Sequence, residues 1–275
     1  MHDRRPGALN PPLQVETGCI ERIEIGGCEL EFYRLPASRR DLPVLVFLHE
    51  GLGSAGLWRD FPAAIAGRTG CAALVYSRYG NGFSTPLAGT RAPEYMHDEA
   101  LDALPALLRK LGVEDAVLFG HSDGGSIALI YAAEHPACVR GIVLEAPHVF
   151  VEDISVRSIA AIKTQFESSD LRVRMAKHHA DADRTFYGWN DIWLAPAFRD
   201  WNIESYAARV SAPVLAIQGV DDEYGTPAQL DAIAARARAP VDRLLLARCK
   251  HAPHRDRAAL VEAVASDWIE SVAAR

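Results

Sequence analysis

Val44-Leu45-Val46-Phe47-Leu48 is an unbroken apolar run between Pro43 and His49. A short run without polar alternation predicts a parallel strand covered on both faces. Comparable runs recur at 72–76, 116–119, 141–144, 214–217 and 244–246. Ahead of them, 19–25 and 29–35 mix apolar and polar positions and meet through Gly26-Gly27, which predicts an antiparallel hairpin. Between the runs the period lengthens. Leu101, Leu104, Leu108 and Leu111 share one helical face, as do Val264, Trp268 and Val272. Thr226-Pro227 predicts a helix start, a hydroxyl cap followed by proline at the first helical position. Strands alternating with helices define an α/β fold, a mostly parallel central sheet flanked by helices.

The alternation lapses between 148 and 207. That stretch has helical patterns, no strand run, and Trp189, Trp193 and Trp201 with Phe186, Tyr187 and Phe198. It predicts a helical lid at 148–207, inserted into a core formed by 1–147 and 208–275. A length of 275 residues suits one such core with its insertion.

Hydrophobic residues are 49% of the chain and charged ones 24%, enough apolar material for a sizeable core. The net charge of −7 argues against a nucleic-acid partner, which needs a basic face to displace counterions. No apolar run approaches the roughly 18 residues of a membrane span. Met1 to Leu13 carries Arg4 and Arg5 but lacks the continuous apolar stretch of a signal peptide. The cysteines, at 19, 28, 71, 138 and 249, are odd in number and scattered, which reads as free thiols in a reducing cytoplasm. No pattern speaks to oligomeric state.

The chemistry concentrates after three of the apolar runs. Gly120-His121-Ser122-Asp123-Gly124 lies between a buried strand and an apolar helical stretch at 127–133. G-x-S-x-G in that setting predicts a sharp strand-to-helix turn that exposes the serine hydroxyl at the sheet's carboxyl edge. Serine is a weak nucleophile and requires a base, itself oriented by a third group. Gly219-Val220-Asp221-Asp222-Glu223 follows a later strand, and Lys250-His251 and His254 follow the next. Asp222, with His251 as base, is the leading acid; Asp221 and Glu223 compete, and Glu145 is a second location for it. His254 is expected to be a loop or supporting residue, and His121 to pack within the turn. After the first run stands His49-Glu50-Gly51-Leu52-Gly53-Ser54. The N–H of Gly51 or Leu52, with that of Asp123, is positioned to stabilise an oxyanion. His49-Glu50 lacks the histidine spacing of a metal site, so neither metal nor cofactor is expected.

These segments, with the turn Tyr79-Gly80-Asn81-Gly82-Phe83-Ser84, resemble the α/β-hydrolase superfamily over roughly 17–275. The resemblance implies a serine hydrolase with Ser122, Asp222 and His251 as triad, acting on a carboxylic ester, lactone or thioester. Serine at the nucleophile position disfavours the dehalogenase and epoxide hydrolase relatives, which attack with aspartate. Two alternatives remain: cleavage of a carbon–carbon bond in ring-cleavage products, and a non-hydrolytic ligand-binding or cofactor-free oxygenase member. Two positions depart from the pattern. Many relatives carry glycine where Glu50 stands, so its carboxylate either perturbs neighbouring pKa values or faces outward; the residue before the histidine is often glycine and here is Lys250. Trp189, Trp193 and Phe150 are candidates to contact a small acyl substrate with an apolar part. The basic stretch Arg172, Arg174, Lys177, His178 and His179 is either a contact for an anionic acyl group or a solvated face.

Overall fold

The computed structural model describes residues 19–274. The leader reading of Met1 to Leu13 lies outside them. Eight strands form one sheet: β1 (Glu21–Ile25), β2 (Cys28–Leu35), β3 (Val44–Leu48), β4 (Ala73–Tyr76), β5 (Ala116–His121), β6 (Val139–Glu145), β7 (Val214–Gly219) and β8 (Val241–Leu246). Their spatial order is β1-β2-β4-β3-β5-β6-β7-β8. β1, β2 and β4 pair antiparallel, with Ile25 opposite Cys28 across the Gly26-Gly27 turn. Every other pair is parallel.

Helices α1 (Phe61–Thr69), α2 (Tyr95–Asp98), α3 (Leu104–Lys110) and α4 (Asp123–Glu134) lie between strands up to β6. Helices α5 (Asp153–Ser168), α6 (Leu171–Met175), α7 (Ala182–Leu194) and α8 (Glu204–Ala207) fall between β6 and β7, a stretch without a sheet strand. Beyond β7 come α9 (Ala228–Arg236), α10 (Pro253–Asp256) and α11 (Ala258–Ala273). No described helix is long and apolar enough to cross a membrane.

The unbroken apolar runs have their cause in two-sided burial. Side chains alternate across a strand, so Val46 and Leu48 of β3 join the core under α3, α4 and α9. Leu45 and Phe47 join the opposite core under α1 and α11. The expected leucine face is only partly regular: α2 and α3 are joined through a wider, π-type turn at Glu99–Ala103. There the buried Glu99 accepts a 2.6 Å hydrogen bond from the Tyr76 hydroxyl. On α11 the fully buried stripe is Val261, Ala265, Ile269 and Val272, while Val264 and Trp268 sit at its margin.

β3 connects outward to β4, whereas β5 lies on the other side of β3. The winding therefore reverses between β3 and β5, so the connections that follow them run to opposite faces of the sheet, α1 on one and α4 on the other. Ligand sites of open α/β sheets form at such a point.

Candidate active site

Ser122 sits at the carboxyl edge of the sheet, between β5 and α4, with φ 52° and ψ −117°. A non-glycine residue in this region carries about 1–3 kcal/mol of strain and persists only when its surroundings impose it. Ser122 N–H donates to the Glu145 carbonyl at 2.9 Å, and the Ser122 carbonyl accepts from Gly125 N–H at 2.8 Å. At Gly124 an added Cβ would strike the backbone carbonyl of Leu48 and come within 2.8 Å of the His49 carbonyl oxygen. The helix thus packs directly on the end of β3.

Asp222 follows β7 and is 7% exposed. Its Oδ1 accepts from Tyr224 N–H at 2.8 Å and its Oδ2 from Gln218 Nε2 at 3.1 Å. His251 Nδ1 reaches the same carboxylate at 2.9 and 3.1 Å. A carboxylate only accepts, so Nδ1 carries a proton, and in the neutral ring Nε2 is left bare, the form a general base requires. Burial alone would raise the Asp222 pKa, but the charge and hydrogen bond of His251, with the Tyr224 N–H, hold it below the ordinary value. Among the described residues, no hydrogen bond joins the Ser122 hydroxyl to the His251 ring. The competing acids are placed elsewhere. Asp221 is exposed, and its N–H donates to the Cys249 carbonyl at 2.9 Å. Glu145 lies 2.6 Å from His254 Nδ1, both fully buried. Of the two expectations for His254 the structure has the supporting contact: it is the second residue of α10 and is buried against Glu145.

The loop after β3 has its carbonyls tied back. Arg78 donates to the His49 carbonyl at 2.9 Å and to that of Glu50 at 3.0 Å. Asn81 Nδ2 donates to the carbonyls of Gly51 and Gly53, and His179 Nε2 to that of Leu52 at 3.1 Å. In a planar trans peptide the next N–H points opposite the carbonyl. The N–H groups of Gly51 and Leu52 are thereby turned the other way, and neither makes a hydrogen bond within the described residues. Arg78 N–H donates to His49 Nε2 at 3.1 Å, so His49 is neutral with its proton on Nδ1, directed at the Glu50 carbonyl.

Trp189, on α7, covers Gly51 so closely that an added Cβ there would overlap the indole. Trp193 Nε1 donates to the Tyr95 hydroxyl at 3.0 Å, which donates to Asp123 Oδ2 at 2.6 Å. Asp123 Oδ1 is buried and has no partner among the described residues. Phe150 is half-buried and forms a backbone bridge to Asn202, with its carbonyl accepting from Gln229. The basic stretch divides. Arg172 and Arg174 are exposed and pair with Asp183 and Asp170, whereas His179 is buried against Leu52 and Gly82.

Sequence reasoning missed Arg78, Tyr95, His148 and Gln218. Arg78 directly precedes the quoted glycine turn, which was the available signal; the others carry none, since only packing brings them here. Burial, aided by the charge of His251, pushes His148 down to about 3. Burial likewise lowers His179 to about 4 and, with Arg78, takes His49 well below its ordinary value. These rings bind protons unfolded, below about pH 6.5, but not folded, so each withdraws stability as pH falls through that window, at up to about 1.4 kcal/mol per pH unit. His121, whose pKa is raised, acts in the opposite sense, its contribution being lost as pH rises. The three outweigh the one. The melting temperature is expected to fall steadily from pH 6.5 to 4.5, and His148→Phe to flatten that slope; a native protein equally stable at both ends contradicts this.

His121, Glu145 and His254 bring ligand-type atoms within 4.8 Å of one another, the only such grouping found among the described residues. The direct His254–Glu145 bond already occupies one nitrogen and one oxygen of this set.

The sequence profile of the alpha/beta hydrolase fold matches residues 43–191, and the chain belongs to that family. It is similar to a proline iminopeptidase of Saccharolobus solfataricus, 24% identical over 253 residues that cover 77% of this chain and 79% of the relative. It is also similar to epoxide hydrolase 4 of Mus musculus, 31% identical over 54% of this chain and 40% of that protein. Matches to several other curated relatives likewise span less than half of their length. Among solved structures, the enol-lactonase from Burkholderia xenovorans LB400 superposes with a TM-score of 0.69 at 18% identity, covering 90% of this chain and 99% of that one.

Proposed function

We propose that the chain is a serine hydrolase that cleaves a carboxylic ester, lactone or thioester through an acyl-enzyme. The observation that carries this reading is the Asp222–His251 pair, 2.9 Å apart, at the same sheet edge as the strained Ser122. Rotation of the Ser122 hydroxyl toward His251 Nε2 lets the ring take its proton as oxygen attacks the substrate carbonyl. The Nδ1–H bond to Asp222 stabilises the imidazolium that forms. The oxyanion meets the N–H of Asp123 at the start of α4 and that of Gly51 or Leu52. The imidazolium then protonates the leaving group, and water repeats the sequence to release the acid.

The helices between β6 and β7 act as a lid in this reading, with Trp189 and Trp193 presenting apolar surface to the acyl group and Phe150 at its margin. Asp123 argues about charge. Its buried Oδ1 has no partner among the described residues, and a second carboxylate brought beside it is repelled in a site of low dielectric. Neutral acyl groups are therefore preferred: a p-nitrophenyl butanoate is expected to exceed the succinate monoester at least tenfold in kcat/KM, and equal rates would reject the assignment. A fluorophosphonate probe tests the whole proposal. Covalent labelling of Ser122, absent in Ser122→Ala, supports it, and a folded protein that resists labelling refutes it. A panel of p-nitrophenyl esters, lactones and acyl-thioesters then ranks the substrate classes.

A further inference from the structure

Glu50, which stands where many relatives carry glycine, is half-buried and turned toward His121. Its Oε2 lies 3.5 Å from His121 Nδ1, and Arg255 approaches its other oxygen at 3.6 Å. His121 in turn, almost fully buried, places Nε2 2.7 Å from the backbone carbonyl of His251. A carbonyl only accepts, so Nε2 bears a proton; Nδ1 makes no hydrogen bond among the described residues, and its link to the Glu50 carboxylate at 3.5 Å is one of charge. We propose that Glu50 and His121 form a positioning pair that clamps the loop carrying His251, joining the loop after β3, the nucleophile turn and the base loop. The consequence for catalysis rests on the hydrolase reading above; the clamp itself does not.

Charge favours protonation of the His121 ring. Burial alone would lower the His121 pKa, but the hydrogen-bonding and charge of Glu50, the charge of Glu145 and the His251 carbonyl raise it. Burial would raise Glu50, yet His121, with Arg255 and His49, holds it well below the usual carboxylate range. The other groups facing His121 are the His254 ring, 5.1 Å away between centroids and paired with Glu145, the His251 ring at 5.2 Å, and the uncharged Trp58 at 6.4 Å. A charged donor strengthens the bond to the carbonyl. His251 is thus held at two points, its ring by Asp222 and its peptide by His121. That arrangement limits the freedom of a base that sits on a loop rather than on a strand or helix. Displacements near 1 Å at such a base can cost about a hundredfold in rate, so a loosened clamp is read in kcat rather than in KM.

The test uses the native chain, Glu50→Gln, Glu50→Asp and His121→Phe, first with hydrogen–deuterium exchange of the 249–252 amides. Both Glu50→Gln and His121→Phe are expected to speed exchange there. Each should also lower kcat for a p-nitrophenyl ester about tenfold with KM within twofold. The double variant should lose no more than the worse single one, and Glu50→Asp should recover part of the loss. If His121→Phe does not fold, Glu50→Gln, which preserves side-chain size, decides alone. Unchanged exchange in folded Glu50→Gln overturns the clamp, as does a loss confined to KM. Failure of fluorophosphonate to label native Ser122 would instead overturn the hydrolase reading, and exchange, which needs no turnover, still judges the clamp.

Discussion

Ser122→Ala is expected to lower kcat toward a p-nitrophenyl ester by about ten-thousand-fold or more, the loss typical when a nucleophile that acts with its base and orienting acid is removed. Stability should hardly change, because the Ser122 hydroxyl makes no hydrogen bond among the described residues and the backbone strain is present with either side chain. Asp222→Asn should come close to the same loss by another route. An amide can turn its NH2 toward His251 Nδ1 and favour the tautomer with the proton on Nε2, where it cannot act as base. Steady-state kinetics on both variants, with thermal melts as the control for folding, check this. A Ser122→Ala protein that keeps even a tenth of native turnover would remove the acyl-enzyme mechanism.

Gly124→Ala should be among the most damaging single methyl groups that could be added to the described residues. The added Cβ falls on the carbonyl of Leu48, and both clashing partners are backbone, one the end of β3 and the other the first turn of α4. Neither can swing aside as a side chain would, so the helix must lift from the sheet. Because β3 and β5 are paired along Val44–Leu48 and Ala116–Gly120, that shift propagates into the centre of the sheet. Cost by overpacking is typically 1–3 kcal/mol where side chains can yield, and more is expected here, enough to leave little folded protein. Expression of soluble chain and its melting temperature measure it. Gly51→Ala is a useful contrast: its clash is with the Trp189 indole, a side chain, so activity should suffer more than folding.

Much of this arrangement was legible in the linear chain because its signals are local. Apolar runs marked the parallel strands, since a strand buried on both faces cannot alternate. The elbow was legible because one serine between glycines, following such a run, satisfies a turn in which larger residues collide. Asp222 could be favoured over Asp221 and Glu223 by its offset from Gly219, while Glu145 stayed open as a second location for the acid. Only the fold separates the two, by burying Glu145 against His254 and leaving Asp222 to His251. The bounds of the helices were less legible: the wider turn at Glu99–Ala103 has no pattern of its own and coincides with the buried contact of Glu99 with Tyr76.

Residue order alone settled the class of fold and singled out the turn at Ser122 and the loop at His251 as candidates, because backbone geometry and burial on two faces constrain neighbouring residues directly. Which acid meets which histidine, where Glu50 turns, and how Arg78 and Asn81 hold the carbonyls of the loop after β3 depended on packing between segments remote in the chain. Those pairings are electrostatic and directional, acting across gaps of a few ångströms that only the assembled sheet and its helices bring about.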